Sequence, residues 1–147
     1  IAKICHKYGI KFIYISTDFV YNNGLCNEES SLKPINSYGW SKLGGECVAH
    51  VVPNSLILRC SLCDIPFRHK VAFNNIYRTS ITHKDAAKLI LKVKDETGII
   101  NIGGPVQAVY NFVKKYQDVE SLKYKGNNSQ VASIKLDTTK LKKIINE

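Results

Sequence analysis

A strand–helix–strand unit in the first sixty residues constrains the fold more than any other feature of this sequence. Residues 11–16 (Lys-Phe-Ile-Tyr-Ile-Ser) and 55–60 (Ser-Leu-Ile-Leu-Arg-Cys) are short apolar runs, typical of strands buried on both faces. Between them, residues 38–50 are predicted to form a helix that is capped near Ser37 and ends before Pro53. Two such strands joined by a helix favour a parallel sheet with a right-handed crossover. We therefore predict an α/β protein.

The rest of the chain contains further elements of both kinds. The other segments predicted to be helical are residues 1–7, 85–93, 109–116 and 138–146. Residues 98–102 are predicted to form a further strand. Three polar or turn-rich segments are expected to be irregular, namely residues 18–36, 61–81 and 117–133.

Composition narrows the class of protein. The 147 residues are 44% hydrophobic, which is enough for one modest globular domain. The sequence contains no methionine and opens inside a predicted helix, so we expect it to be part of a longer chain. It holds no apolar run long enough to span a membrane.

The net charge and the cysteine content indicate which binding partners and which cellular compartment to expect. The formal charge is +9, but the lysines are scattered and no nucleic-acid-binding motif accompanies them, so we expect no nucleic-acid partner. The five cysteines are an odd number and favour reduced thiols in a cytoplasmic protein. Cys60 and Cys63 form a Cys-x-x-Cys pair, but no second pair completes a zinc site, and we expect no metal.

The pattern that says most about possible catalysis is Tyr-x-x-x-Lys. Tyr38 and Lys42 are four positions apart on a predicted helix and therefore share one face. A lysine there can stabilise the ionised phenolate, which suits tyrosine to general acid–base catalysis. Thr17 directly follows the first predicted strand, at the sheet edge where open α/β sheets bind ligands. A chance pair on a helix surface is the alternative, but this context favours a site made of Thr17, Tyr38 and Lys42.

Several ordered segments around these residues resemble one known family. The pattern is Ser-Thr-Asp-aromatic-Val, an acidic loop, Pro-x-Asn-x-Tyr-Gly-x-Ser-Lys and then Gly-Glu, carried by residues 12–21, Glu28, 34–36 and 38–46. It resembles the dTDP-4-dehydrorhamnose reductase family of the extended short-chain dehydrogenases/reductases. Later segments agree more loosely, namely residues 58–59, 82–87, 100–104 and 136–141.

The resemblance implies a fold and a domain organisation. The fold is the C-terminal half of a Rossmann-like parallel sheet with a small α/β substrate-binding lobe. Residues 1–65 would form the second half of the NAD(P)-binding domain and carry the Tyr-x-x-x-Lys site. Residues 66–147 would be mostly the substrate-binding lobe, with the strand near residues 98–102 able to return to the sheet.

The resemblance also implies a reaction, the NAD(P)H-dependent reduction of a 4-keto-6-deoxy sugar nucleotide. Tyr38 would donate a proton to the developing alkoxide, and Thr17 would hydrogen-bond the same oxygen. Lys42 would stabilise the ionised form of Tyr38, and both residues would bind the cofactor ribose. The cofactor would be NADP or NAD, and the full-length protein could be a homodimer.

Further candidates follow from the resemblance for the two ligands. The residues expected next to the nicotinamide are Ser61 and Leu62. The residues expected to contact the nucleotide-sugar substrate are Asp18, Arg68 and Arg78. Arginine suits a diphosphate because its guanidinium makes charge-assisted hydrogen bonds.

The sequence departs from the family in one important respect. It contains no Gly-rich turn of the kind that holds a cofactor pyrophosphate at a helix N-terminus. Residues 103–105 (Gly-Gly-Pro) resemble such a loop, but Pro105 lacks an amide donor, so we expect a plain turn. We therefore expect the 147 residues alone to bind cofactor weakly and to be inactive.

Two alternative functions remain open. A sugar-nucleotide epimerase or dehydratase of the same superfamily would use bound NAD catalytically, but dehydratases add an acidic pair, whereas here only Asp18 follows Thr17. A non-catalytic NADP-binding subunit, resembling the regulatory β subunit of methionine adenosyltransferase, would share the fold and pattern. The joint presence of Thr17, Tyr38 and Lys42 argues against this second alternative.

Overall fold

The computed structural model describes residues 1–126 and 133–146. Within them the helices are α1 (Ala2–Tyr8), α2 (Ser37–His50), α3 (His83–Val93), α4 (Val109–Val113) and α5 (Thr139–Ile145). The strands are β1 (Ile13–Thr17), β2 (Gly24–Cys26), β3 (Leu56–Cys60), β4 (Leu62–Cys63), β5 (Val71–Phe73), β6 (Tyr77–Arg78), β7 (Ile81–Thr82), β8 (Gly98–Ile102), β9 (Gln107–Ala108), β10 (Glu120–Leu122) and β11 (Ile134–Leu136). A single 3₁₀ turn, Asp18–Val20, follows β1.

A three-stranded parallel sheet in the order β1-β3-β8 is the centre of the structure. β3 lies in the middle and pairs in register with both neighbours, and all five of its residues are buried. This burial explains why polar and apolar residues do not alternate in β3, where Arg59 is the one charged residue. The predicted α/β class and the parallel strand–helix–strand unit are therefore confirmed.

Helices cover the sheet and create its core. Side chains of α3 and α5, such as Val93 and Leu141, pack against Leu56 and Leu58 of β3 and Ile100 of β8. The helix α2 packs on β1. These contacts fix the position of α2 relative to the end of β1, which matters for the site described below.

The start of α2 agrees with the predicted cap near Ser37 and places it one residue earlier. The cap is Asn36 rather than Ser37, because Asn36 Oδ1 accepts a hydrogen bond from the Gly39 amide at 2.8 Å. Ser37 is instead the first helical residue. Likewise, α3 begins at His83 because Thr82 accepts a hydrogen bond from the Asp85 amide, two residues before the predicted start.

The three segments expected to be irregular contain short strands, and in this respect the prediction was wrong. β2 pairs with β11, β5 with β10, β4 with β7, and β6 with β9. Each of these strands is only two or three residues long and pairs with a partner distant in sequence. Such strands leave no period for sequence analysis to detect. The part of the third segment at residues 127–132 lies outside the described residues.

None of the helices in residues 1–126 and 133–146 has the length and apolar character needed to cross a membrane.

Candidate active site

Thr17 ends β1 at the carboxyl edge of the sheet and starts the 3₁₀ turn. Its hydroxyl accepts a hydrogen bond from the Phe19 amide at 3.3 Å and donates one to Asp18 Oδ1, also at 3.3 Å. Both bonds are longer than the normal range and therefore weak, so a ligand oxygen could replace the second one at little cost. The side chain is largely buried but lines a cavity.

The first turn of α2 brings Tyr38 beside the 3₁₀ turn. Gly39 makes this approach possible, because a Cβ on Gly39 would lie only 2.4 Å from the carbonyl oxygen of Phe19. The rings of Phe19 and Tyr38 meet edge to face, with centroids 6.2 Å apart. Phe19 thus supports the ring of Tyr38 while the Tyr38 side chain stays half exposed.

One cavity of about 260 Å³ is lined by Thr17, Tyr38 and Lys42 together. The Tyr38 hydroxyl makes no hydrogen bond to any residue in 1–126 or 133–146, and Lys42 forms no ion pair within those ranges. The Lys42 ammonium lies 4.4 Å from the centroid of the Tyr14 ring. The cavity therefore contains a proton donor and a cation that are both free to bind a ligand.

Asp18 and Ser61 face each other below this cavity. The Asp18 carboxylate is only 1% exposed, and its Oδ2 accepts a hydrogen bond from Ser61 Oγ at 2.7 Å. The same oxygen accepts a short hydrogen bond from the Arg78 guanidinium. Asp18 therefore holds Arg78, and Ser61 contacts the same carboxylate oxygen. Direct ligand contacts by Asp18 or Ser61 remain predictions.

A second cavity, of about 410 Å³, adjoins the first. Phe19 and Leu62 line both of them, so these two side chains form the boundary between the cavities. Arg78 lines the second cavity and lies over the Phe19 ring, 4.4 Å from its centroid. The Arg78 side chain is 17% exposed. Its charge is thus held at the cavity wall by Asp18 and Phe19.

Arg68 also lines the second cavity, but in a different environment. Its side chain is 80% exposed and its Nε lies 2.7 Å from Asp64 Oδ2 on the same loop. An exposed pair of this kind contributes little and rearranges readily. Of the two arginines predicted to contact substrate, Arg78 is therefore preorganised and Arg68 is not.

Behind the site, a buried polar network joins α2 to the sheet. Arg59 of β3 donates to Glu46 of α2 and to the Tyr21 hydroxyl, and Ser16 of β1 donates to Glu46. Burial raises the pKa of Tyr21, an effect that the nearby Arg59 charge only partly offsets. Sequence analysis included Glu46 only as the last residue of the family pattern and assigned it no role. The available signal was its spacing, because it lies eight residues after Tyr38 and four after Lys42 on the same helix.

The Cys-x-x-Cys pair has the properties of packed thiols. Burial raises the pKa of Cys60 to about 12, and burial also raises that of Cys63. Thiolates are the form that binds metals and attacks disulfides, so this environment opposes both activities. Across residues 1–126 and 133–146 no cluster of three potential metal ligands occurs.

Gly103 and Gly104 allow two chain segments to approach closely. A Cβ on Gly103 would lie 2.9 Å from Thr79, and one on Gly104 would lie 2.7 Å from the Ser80 carbonyl oxygen. The Gly104 amide donates to the Thr79 carbonyl at 2.8 Å. That amide is therefore already used within the protein, which fits a structural turn rather than a phosphate-binding loop.

The structure is a parallel α/β sheet with Thr17, Tyr38 and Lys42 near its carboxyl edge. This arrangement defines a Rossmann-like protein of the short-chain dehydrogenase/reductase type. The chain belongs to the family described as the RmlD substrate binding domain, which matches residues 1–99.

Individual relatives agree with this family. Over 65 residues the chain is 43% identical to a probable low-salt glycan biosynthesis reductase, Agl14, of Haloferax volcanii, a match covering 42% of this chain and 22% of that protein. A hypothetical dTDP-4-dehydrorhamnose reductase from Sulfolobus tokodaii is 26% identical, with a TM-score of 0.75 over 97% of this chain and 61% of its own. The Bacillus anthracis dTDP-4-dehydrorhamnose reductase in complex with NADP is 19% identical and has the same fold, with a TM-score of 0.75 over 96% of this chain and 62% of its own.

The chain thus spans less than two thirds of the length of these relatives.

Proposed function

We propose that this chain carries the catalytic residues and the substrate-binding lobe of an NAD(P)H-dependent reductase of a 4-keto-6-deoxy sugar nucleotide. The observation that carries the proposal is the single cavity lined by Thr17, Tyr38 and Lys42, next to a larger cavity lined by Arg78. The names of the relatives support reduction: two are dTDP-4-dehydrorhamnose reductases and one is a glycan biosynthesis reductase.

The residues around the smaller cavity fit a nicotinamide cofactor. Tyr38 and Lys42 offer uncommitted donors for ribose hydroxyls, and Leu62 offers an apolar surface on the other side. When bound, NAD(P)H would supply the hydride. The absence of a Gly-rich turn in these residues leaves the pyrophosphate without its usual site, so we expect the 147 residues alone to be inactive.

In the proposed mechanism the protein acts on the carbonyl oxygen of the substrate. Tyr38 donates its proton to that oxygen as negative charge develops there. Thr17 exchanges its long hydrogen bond to Asp18 for one to the same oxygen, which orients the carbonyl. Lys42 stabilises the phenolate that Tyr38 leaves behind, because opposite charges attract strongly in a partly dry cavity.

The larger cavity suits the nucleotide part of the substrate. Arg78 places a fixed positive charge at its wall, which favours a diphosphate. Phe67, His69 and Phe73 add aromatic surface on which a base or sugar could pack. Arg68 would be recruited when substrate enters, since its present partner Asp64 is exposed.

The state of Asp18 favours reduction over dehydration. Dehydration would require an acidic group free to transfer a proton beside Thr17. The Asp18 carboxylate is instead buried and paired with Arg78. The choice between NADP and NAD, a cytoplasmic location, a homodimer and the division of the chain near residue 65 stay predictions.

The test is to assay the complete protein with NADPH and dTDP-4-dehydrorhamnose, following oxidation of NADPH and identifying the sugar product. We expect turnover in the wild type and a loss of about 10²–10⁴-fold in kcat for Tyr38→Phe, because Phe keeps the ring but lacks the proton. Cofactor binding should change little. The matched control is Tyr8→Phe, since Tyr8 lies on α1 away from the cavity. Wild-type rates in Tyr38→Phe would refute the proposal.

A further inference from the structure

We propose that Tyr14 is a positioning residue for Lys42, whose ammonium group it holds through the face of its ring. This inference rests on the proposed function, because it assigns Tyr14 a part in the same reaction. Tyr14 lies in β1, three residues before Thr17, and lines neither of the two cavities.

Tyr14 contacts Lys42 at both ends of the lysine residue. The ammonium Nζ lies 4.4 Å from the centroid of the Tyr14 ring, within the range of a cation–π contact. The Tyr14 hydroxyl donates a hydrogen bond to the main-chain carbonyl of Lys42 at 3.2 Å. One side chain therefore fixes both the helix turn that carries Lys42 and the charged end of its side chain.

Gly45 provides the space in which the Tyr14 ring lies. A Cβ on Gly45 would be 2.0 Å from the Tyr14 hydroxyl oxygen and 2.3 Å from Cζ, so any larger residue would displace the ring. A Cβ on the neighbouring Gly44, by contrast, would meet no atom within 4 Å. The close approach is thus specific to the position that faces Tyr14.

A second contact from the same face of β1 supports this arrangement. Ser16 is two residues after Tyr14 and therefore points to the same side of the strand. Its hydroxyl donates to the Glu46 carboxylate, one residue beyond Gly45 on α2. Tyr14 and Ser16 together hold residues 42–46 of α2 in place, directly after the turn that carries Tyr38.

An aromatic partner suits a lysine that must bind other groups. A carboxylate would accept hydrogen bonds from the ammonium and neutralise its charge. A ring face attracts the charge but accepts no full hydrogen bond, so the N–H donors of Lys42 stay available for a ribose and for a phenolate. No residue in 1–126 or 133–146 forms an ion pair with Lys42, in agreement with this role.

The experiment compares Tyr14→Met with Tyr14→Phe in the complete protein. Met has similar reach and fills irregular space but has no ring face, whereas Phe retains the face and loses only the hydroxyl. We expect Tyr14→Met to raise the KM for NADPH by about tenfold, a change that corresponds to the upper range of a cation–π contact. Tyr14→Phe should restore a KM near that of the wild type. A matched control is Tyr8→Met, because Lys7 lies 5.1 Å over the ring of Tyr8 on α1, away from the site.

A second measurement does not depend on turnover. Lysine ε-methylene protons above a ring face are shifted upfield in the proton NMR spectrum, and Lys42→Met identifies the signal. We expect an upfield-shifted Lys42 signal in the wild type and in Tyr14→Phe, and a normal one in Tyr14→Met. An unshifted signal in the wild type, or an unchanged KM in a folded Tyr14→Met, would overturn the inference. An inactive wild type that shows the shifted signal would instead refute the proposed reduction and confirm the contact.

Discussion

Glu46 of α2 and Arg59 of β3 form an ion pair in which Oε2 lies 2.8 Å from Nη2 and neither side chain is more than 2% exposed. Burial by itself would lower the pKa of Arg59, but its hydrogen bonds to Glu46 and its contacts with Tyr21 outweigh that effect and raise the pKa. Arg59 therefore stays charged inside the protein, and its bond to Glu46 ties the helix of Tyr38 to the middle of the sheet.

We predict that Glu46→Ala strongly destabilises the protein. Removing one partner leaves the Arg59 guanidinium buried without its counter-charge, which typically costs about 3–5 kcal/mol. Urea unfolding of the complete protein measures the loss. Asp118→Ala is the control, because it breaks the exposed pair with Lys114 and should not change the midpoint measurably. Equal midpoints for Glu46→Ala and wild type would show that the pair does not stabilise the fold.

Substitutions at the two adjacent glycines of α2 should have opposite effects. Gly44→Ala adds a methyl group in open space and should stabilise the helix by about 0.5–1 kcal/mol, because alanine is the better helix former. Gly45→Ala should destabilise by about 1–3 kcal/mol, because the methyl group would overlap the Tyr14 ring. Thermal unfolding of both variants gives the comparison. Equal stabilisation by both would contradict the close contact between Gly45 and Tyr14.

Arg78 and Arg68 should contribute unequally to substrate binding. We expect Arg78→Ala to raise the KM for the sugar nucleotide by roughly ten- to a hundredfold. This change corresponds to the free energy lost with one charge-assisted hydrogen bond. Arg68→Ala should have a smaller effect, because its exposed side chain must first be ordered. Steady-state kinetics at saturating NADPH measures both. A larger increase in KM for Arg68→Ala than for Arg78→Ala would mean that the diphosphate binds at the exposed loop of Arg68 instead.

The cysteines should differ in reactivity with iodoacetamide. Burial raises the pKa of Cys60 to about 12. Any pH between 7 and 9 is below this pKa, so the thiol stays protonated over that range. Cys47 is exposed on α2 and should be alkylated in the native protein. Mass spectrometry of peptides before and after unfolding separates the two sites. Rapid native alkylation of Cys60 would restore the Cys-x-x-Cys pair as a candidate redox site.

The sequence predicted the parts of the fold that have a local pattern. β3 stands out as a short, largely apolar run, and α2 is long enough to be detected as a helix. Tyr38 and Lys42 lie one turn apart on α2, so their shared face follows from helix geometry. The choice between Asn36 and Ser37 as helix cap could not be predicted, because both residue types cap helices well and only the backbone conformation distinguishes them.

The polar cluster around Asp18 could not be predicted from the sequence. Ser61 and Arg78 are 43 and 60 residues away from Asp18 along the chain, and their meeting depends on the pairing of short strands. The resemblance to a family identified all three as site residues. It gave no indication that Asp18 is buried and that its partner is Arg78.

Most of the residues that line the larger cavity come from one part of the chain. All of its lining residues except Phe19 and Val109 come from one continuous stretch, residues 62–80, whereas Thr17, Tyr38 and Lys42 lie outside that stretch. Exchange of one short stretch of coding sequence would therefore replace most of the larger cavity's wall and leave those three residues in place. Under the proposed function, evolution or a loop graft in the laboratory could exchange this stretch as a cassette, provided that the new stretch keeps an arginine at position 78 as the anchor for charge.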